Sequence, residues 1–219
     1  MQMRILINAG GTREPIDAVR YIGNVGTGAT GVALAEEAVR RFHTVYLLTG
    51  LGAVEPAAWA RSTGLLVEET FTSAADLLAR TERLLGDYRF DALIATAAVA
   101  DYAPVPVEGK IGSSLPELTL RLVPTPKIVD RMRRLAADAL LVTFKLEGGI
   151  QSAALFQRAR ASLERSGADA AVANLIEGHG SPDHAAWLVE PGDGEPVALA
   201  DRAALATGLM DYIEKRRGG

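Results

Sequence analysis

Residues 5–31 read Ile-Leu-Ile-Asn-Ala-Gly-Gly-Thr-Arg-Glu-Pro-Ile-Asp-Ala-Val-Arg-Tyr-Ile-Gly-Asn-Val-Gly-Thr-Gly-Ala-Thr-Gly, and the reading of this stretch decides the fold. Its apolar start stops at Gly10-Gly11, as a fully buried strand does. A polar insert follows, carrying Arg13, Glu14, Asp17, Arg20 and Asn24. Gly26, Gly28 and Gly31 then open a helix with Val32, Leu34, Ala35, Ala38 and Val39 on one stripe and Glu36, Glu37, Arg40 and Arg41 opposite. A strand feeding glycines feeding a helix start presents backbone N–H groups and a positive dipole end to phosphate. In open α/β sheets, ligands bind at that location.

Strands and helices alternate outward from this stretch. Residues 44–49, 65–71, 91–98, 140–145 and 170–174 read as strands; Ser73 caps a helix to residue 88, and helices follow at 125–137 and 152–167. Pro126 sits where the first turn of its helix is expected. Residues 99–117 hold Pro104, Pro106, Pro116, Gly109 and Gly112 without a period, which predicts a functional or mobile loop. Leu118, Leu120 and Leu122 alternate with polar residues, predicting a half-exposed strand. Residues 187–190 and 196–199 predict a hairpin, and Asp201 caps a last helix. The pattern predicts one α/β domain over residues 1–219: a three-layer, Rossmann-like, mostly parallel sheet with an antiparallel edge hairpin.

Composition sets the bounds. With 219 residues, 48% of them hydrophobic, the chain is long enough for a full core. A net charge of −4 gives no basic footprint and argues against nucleic-acid partners. The absence of cysteine excludes disulfides, thiolate metal sites and a cysteine nucleophile, and accords with a reducing compartment. No apolar run reaches membrane-spanning length, so the expectation is a cytoplasmic protein with no membrane partner. His43, His179 and His184 lack metal-like spacing, and Trp59 and Trp187 read as packing anchors.

Gly26-Thr27-Gly28-Ala29-Thr30-Gly31 satisfies Gly-x-Gly-x-x-Gly, which invites an NAD(P)-dependent oxidoreductase reading. Two features weaken it: 17 residues separate Asn8 from Gly26, and the second strand ends Leu48-Thr49-Gly50 instead of in an acid. Close helix packing is the bland alternative for the glycines, as a turn or cap is for Asn24. Arg13–Asp17 and Glu14–Arg20 equally suit internal ion pairs, and a lone Lys110 or Asp101 ordinarily belongs to solvated surface.

The insert and the segments after it resemble the phosphopantothenoylcysteine synthetase (phosphopantothenate–cysteine ligase) family, in its form without the flavin decarboxylase domain. Residues 9–22 follow the family's Ala-Gly-Gly-Thr-Arg-Glu-Pro run almost throughout, and Asn24 falls on its asparagine. The similarity continues at 97–102, Lys110-Ile111, 122–126 and 144–147, and spans residues 3–215. The resemblance implies a ligase joining 4′-phosphopantothenate and cysteine through an acyl-nucleotidylate, with Mg²⁺ and CTP or ATP as co-substrate, in coenzyme A biosynthesis. It implies catalytic Asn24 and Lys110, the lysine swinging in on a mobile loop. It implies nucleotide or phosphate contacts at Gly10, Gly11, Thr12, Gly26, Thr27, Gly28, Ala98, Asp101 and Phe144, and substrate contacts at Arg13 and Arg20. No direct protein cage for a metal is implied; Asp101 is the one candidate for nucleotide-bound magnesium. A homodimer, paired through the edge hairpin region, is implied too.

The chain departs from the family pattern at Gly23-Asn24-Val25-Gly26-Thr27, which loses hydroxyls, at Gly112-Ser113, which loses two positive charges, and at Asn174-Leu175. These leave a non-catalytic nucleotide-binding paralogue as the alternative reading.

Overall fold

The computed structural model describes residues 1–112, 116–178 and 185–218. The first part of the chain forms β1 (Arg4–Ala9), β2 (Arg13–Pro15), β3 (Tyr21–Gly23), α1 (Ala29–Arg40), β4 (Thr44–Gly50), α2 (Ala58–Ser62) and β5 (Leu66–Phe71). The middle forms α3 (Ala74–Asp87), β6 (Ala92–Ala95), β7 (Tyr102–Pro104), β8 (Leu122–Pro124) and α4 (Ile128–Leu135). The last part forms β9 (Leu140–Glu147), α5 (Ser152–Ser166), β10 (Ala170–Leu175), β11 (Ala186–Val189), β12 (Val197–Leu199) and α6 (Arg202–Gly218).

Eight strands make one sheet in the order β12-β11-β10-β9-β6-β1-β4-β5, in which β11 alone runs against the others, antiparallel to both β10 and β12. The chain runs outward from β1 to β5, returns to β6 beside β1, and runs outward again to β10. The winding reverses between β1 and β6, and a crevice opens beyond the carboxyl ends of those two strands. The central strands are continuous apolar runs because both faces are covered. On one face α1 and α6 bury Ile5, Ile7, Leu47, Ile94 and Val142; on the other α3, α4 and α5 bury Leu6, Leu48, Leu93 and Leu141. Ser73 and Asp201 cap α3 and α6 as their sequence positions predict, accepting from the Asp76 and Ala204 N–H groups.

Three local expectations are corrected. The insert after Gly11 folds as an antiparallel ribbon, β2–β3, which its short polar pattern did not announce. The strand predicted at 118–122 lies at Leu122–Pro124, paired with Tyr102–Pro104 inside the loop that had no period. Leu118 and Leu122 are exposed, so their alternation reflects no buried face. The helix expected from Thr125 starts at Ile128: Thr125 donates its N–H to the Asp101 carbonyl and its hydroxyl to the Ala100 carbonyl, which holds the chain out of helical geometry.

α1 ends on Phe42, whose φ of 65° makes it the one left-handed non-glycine residue among those described, and it is 76% exposed. A left-handed L-residue costs about 1 kcal/mol, and glycine is the usual occupant of this position after a helix. Phe42→Gly is expected to raise unfolding free energy by up to about 1 kcal/mol, read as a higher urea midpoint at unchanged slope.

Candidate active site

The two glycine clusters, separated in sequence by the insert, meet in space. The β2–β3 ribbon pairs Arg13 with Gly23 and Pro15 with Tyr21, so the chain doubles back to the end of β1. Asn24 then crosses over Gly11 so closely that a Cβ on Gly11 would stand 2.3 Å from the Asn24 carbonyl oxygen. A Cβ on Gly26 would stand 3.0 Å from the Ala98 Cβ. Gly28, at φ 77°, turns the chain into α1 as an N-cap without a side-chain hydrogen bond. The Ala29 N–H donates to the Thr27 hydroxyl at 3.4 Å, while the Thr30 and Gly31 N–H groups at the crevice have no side-chain cap among the described residues. Gly50 lies against Gly11 as well, and β4 presents no side chain where a ribose-binding carboxylate would stand.

Two cavities flank this weave. The first, about 310 Å³, is walled by the 26–31 run, Thr96, Ala98, Phe144, Asn174 and Arg202. The second, about 220 Å³, lies on the other side of Phe144 and takes in Asn8, Asp101, Thr125, Lys127 and Thr143. Ala97 and Phe144 line both. A larger cavity of about 450 Å³ opens at the opposite, amino end of the sheet beside Arg4, Tyr88 and Arg217; none of the candidate residues reaches it.

The structure brings Gly10, Gly26, Thr27, Gly28, Ala98 and Phe144 to the first cavity. Gly11 is close by, and Asn24 donates its side-chain N–H to the Val99 carbonyl at 3.1 Å, leaving Oδ1 without a donor among the described residues. Asp101 lines the second cavity, paired with Lys127 at 2.6 Å. Thr12 is fully buried, and its hydroxyl accepts from the Ala100 N–H at 3.1 Å. It fastens the 98–100 segment to the glycine turn and is not presented to a phosphate. The Ala98 N–H is likewise spent on the Gly10 carbonyl, so Ala98 supplies a methyl wall.

The charged residues of the insert do not pair as 13–17 or 14–20. Glu14, buried, accepts from the Ala74 N–H and caps α3, where a carboxylate meets the positive dipole end. Arg13 stacks its guanidinium over the Tyr21 ring at 4.8 Å. Asp17 and Arg20 form an ion pair that extends to the loop bearing Lys110. The Asp17 carboxylate accepts from Arg20 and from the Val19, Arg20 and Ile111 N–H groups, while the Arg20 guanidinium donates to the Ile111 carbonyl at 2.8 Å. Ala18 donates to the Gly109 carbonyl and Val107 to Ile16.

The backbone on both sides of Lys110 is hydrogen-bonded to the ribbon tip. Lys110 itself is exposed and, among the described residues, has no ion-pair partner. At roughly 3.4 Å per paired step, the tip stands on the order of 10 Å beyond the glycines.

The Arg20 guanidinium and the converging N–H groups hold the Asp17 carboxyl well below the usual carboxylate range. A depressed folded pKa means that the clamp's contribution is present above the unfolded value near 3.9 and is lost only as pH falls through the lower, folded one. Asp17→Asn is expected to release residues 109–111, and any reaction that depends on Lys110 should slow on the order of 10²-fold through misplacement. Protease cleavage near residue 110 should rise in the same variant; an unchanged rate together with unchanged cleavage would remove Asp17 from this role.

Sequence reasoning passed over several residues that the structure places at the cavities, Lys127 among them. Asn8, a buried amide inside an apolar strand, accepts from the Ala97 N–H at 2.9 Å and sets the turn between the cavities. That polar residue in a core strand was the available signal. Thr143 and Arg202 carried none. Of the histidines, His43 is buried between the Met3 N–H and Glu214, where it ties α6 to β4; His179 and His184 lie outside the described residues. Among the described residues no three carboxylate or imidazole groups gather as a metal site, and no helix is long and apolar enough to cross a membrane.

Comparison with known proteins gives a consistent picture. The family model described as the DNA/pantothenate metabolism flavoprotein C-terminal domain matches residues 1–216. The coenzyme A biosynthesis bifunctional protein CoaBC of Thermococcus kodakarensis is 37% identical over 213 residues, covering 97% of this chain and 51% of that protein. The chain thus spans about half the length of the curated relatives it matches. The DNA/pantothenate metabolism flavoprotein of Streptococcus pneumoniae superposes with a TM-score of 0.87 at 28% identity, covering 98% of this chain and 99% of that one. A Cab2 mutant in complex with phosphopantothenate-cysteine shares the fold, with a TM-score of 0.80 at 19% identity over 97% of this chain and 87% of its own.

Proposed function

The chain belongs to the family of the DNA/pantothenate metabolism flavoprotein C-terminal domain, and from that we propose that residues 1–219 act as one phosphopantothenate–cysteine ligase domain in coenzyme A biosynthesis. The observation that carries the reading is the pair of cavities sharing Ala97 and Phe144 as a wall, with Asn24 hydrogen-bonded to Val99 of the second. Two substrates bound on either side would meet at that wall, as a condensation requires.

A carboxylate does not condense with an amine unaided, because its oxide is not a leaving group. In the reading proposed here, the phosphopantothenate carboxylate attacks the α-phosphate of a nucleoside triphosphate, releasing pyrophosphate. The cysteine amine then displaces the nucleotide, giving the amide and a nucleoside monophosphate. The start of α1, entered through Gly28, receives phosphate in the first cavity. The second cavity, with Asp101, Lys127 and Phe144, takes the nucleotide. Lys110 neutralises charge that develops on the transferred phosphate. The Asn24 Oδ1 accepts a hydrogen bond from the incoming amine, and an amide does this without titrating. Asp101, which lines the second cavity and pairs with Lys127, would hold a nucleotide-bound magnesium, which would supply neutralisation of the phosphate charge.

A homodimer belongs to the same reading. Tyr21, Val19, Tyr102, Val105, Val107 and Leu122 are exposed on or beside the two ribbons, whereas β12 exposes Val197 alone among large apolar side chains. That concentration favours the ribbons over the edge hairpin as the paired surface, and it would carry the Lys110 of one copy toward the cavities of another. A cytoplasmic location accords with the absence of cysteine.

Incubating the protein with Mg²⁺, 4′-phosphopantothenate and CTP or ATP should release pyrophosphate, and adding cysteine should yield phosphopantothenoylcysteine. Nucleotide binding without pyrophosphate release would identify a non-catalytic paralogue instead, a reading to which the single lysine of the 105–112 loop lends weight.

A further inference from the structure

The first cavity is lined by glycines, small residues, Phe144, Leu146 and Asn174, and among the described residues Arg202 is its one charged lining side chain. Arg202 opens α6, directly after the Asp201 cap, so its backbone is fixed by the Ala204-to-Asp201 hydrogen bond. Across the cavity stands the start of α1, entered through Gly28 with no side-chain cap. The start of α1 and Arg202 thus line one space, whose remaining walls are apolar, amide or the hydroxyls of Thr27, Thr30 and Thr96. The second cavity holds cations of its own, Lys127 and Arg165, and does not need this one.

We propose that Arg202 is a specificity-determining residue that reads the phosphate of the acid substrate, pairing with it across the cavity from the α1 N-terminus. The inference rests on the ligase reading for the identity of the acid. A guanidinium offers a planar fork of donors that matches phosphate oxygens, whereas a neutral hydroxyl at the same end of the acid would leave those donors unpaired. Arg202 therefore selects the phosphorylated acid over its unphosphorylated form.

Calorimetric titration of 4′-phosphopantothenate and of pantothenate into the wild-type chain, Arg202→Gln and Arg202→Lys, each with and without nucleotide, tests this directly. The wild type should prefer the phosphorylated acid. Arg202→Gln should reduce that preference roughly 30- to 100-fold, and Arg202→Lys should restore part of it. Nucleotide affinity should be the same in all three. Equal preference in wild type and Arg202→Gln overturns the assignment. A loss of nucleotide affinity alone also overturns it, placing Arg202 on the triphosphate. If the preference depends on Arg202 but no pyrophosphate is released, the inference stands and the ligase reading fails. Unfolding midpoints of the variants exclude a purely structural effect.

Discussion

Pyrophosphate release by Lys110→Ala is expected to fall on the order of 10³-fold, with the unfolding midpoint unchanged. The second half follows from geometry. Lys110 is exposed, and the loop is held by Gly109 and Ile111 through backbone groups and through Asp17 and Arg20, none of which uses the lysine side chain. The first half follows from electrostatics. Charge accumulates on the α-phosphate as the carboxylate attacks, and an ammonium on a flexible four-carbon stem can meet it there without a backbone movement. With the backbone on both sides hydrogen-bonded to the ribbon tip, the proposed role falls to the flexible side-chain stem. Mixing Lys110→Ala with Asn24→Asp separates two arrangements. If the ribbon tip serves a second copy, one dimer site regains both an intact lysine and an intact asparagine, and turnover returns. No return would confine Lys110 to its own chain's cavities. Wild-type pyrophosphate release by Lys110→Ala would remove the residue from the mechanism.

The parts of the molecule legible in the sequence are those fixed by local pattern. The apolar runs that became β1, β4, β9 and β10 contribute to both faces of the core, and runs this short between polar or glycine-bearing turns suit strands better than helices. The caps at Ser73 and Asp201 are likewise decided within four residues. What escaped depends on partners distant in sequence. β7 and β8 are three residues each and exist because they pair with one another across 17 intervening residues, and neither carries a periodic signal. The Asp17 clamp joins residues 94 apart, and no spacing rule within the insert points to Ile111. Thr12 shows the opposite failure. Its place in a glycine-rich motif suggests a phosphate contact, whereas full burial makes it a fastener for residue 100. Arg202 stayed hidden because a helix-opening arginine is ordinary, and its meaning comes from the cavity that α1 and β9 build opposite it.

The glycines at the heart of the motif allow the sharpest contrast between geometry and chemistry. Gly11→Ala would place a Cβ 2.3 Å from the Asn24 carbonyl oxygen and 3.4 Å from its carbon. The obstacle is backbone, held in turn by the β2–β3 pairing, so relief requires the insert to lift away from β1. That degree of overpacking costs about 3 kcal/mol, and it moves Asn24, so ligase turnover should fall even at temperatures where the variant is folded. Gly208→Ala is the control. Its Cβ would meet the Leu199 Cδ2 at 2.8 Å, the far end of a flexible side chain on the opposite edge of the sheet, and alanine gains up to about 1 kcal/mol over glycine inside a helix. Urea unfolding should therefore show a large loss for Gly11→Ala and none beyond about 1 kcal/mol for Gly208→Ala, with turnover lost only in the first. Equal stability of the two variants would mean that Asn24 does not rest on Gly11. Loss of stability without loss of turnover would mean that the contact is real but that Asn24 does not need it to act. The same substitution, one methyl group, thus distinguishes glycines kept for a backbone crossing from those kept for nothing but room.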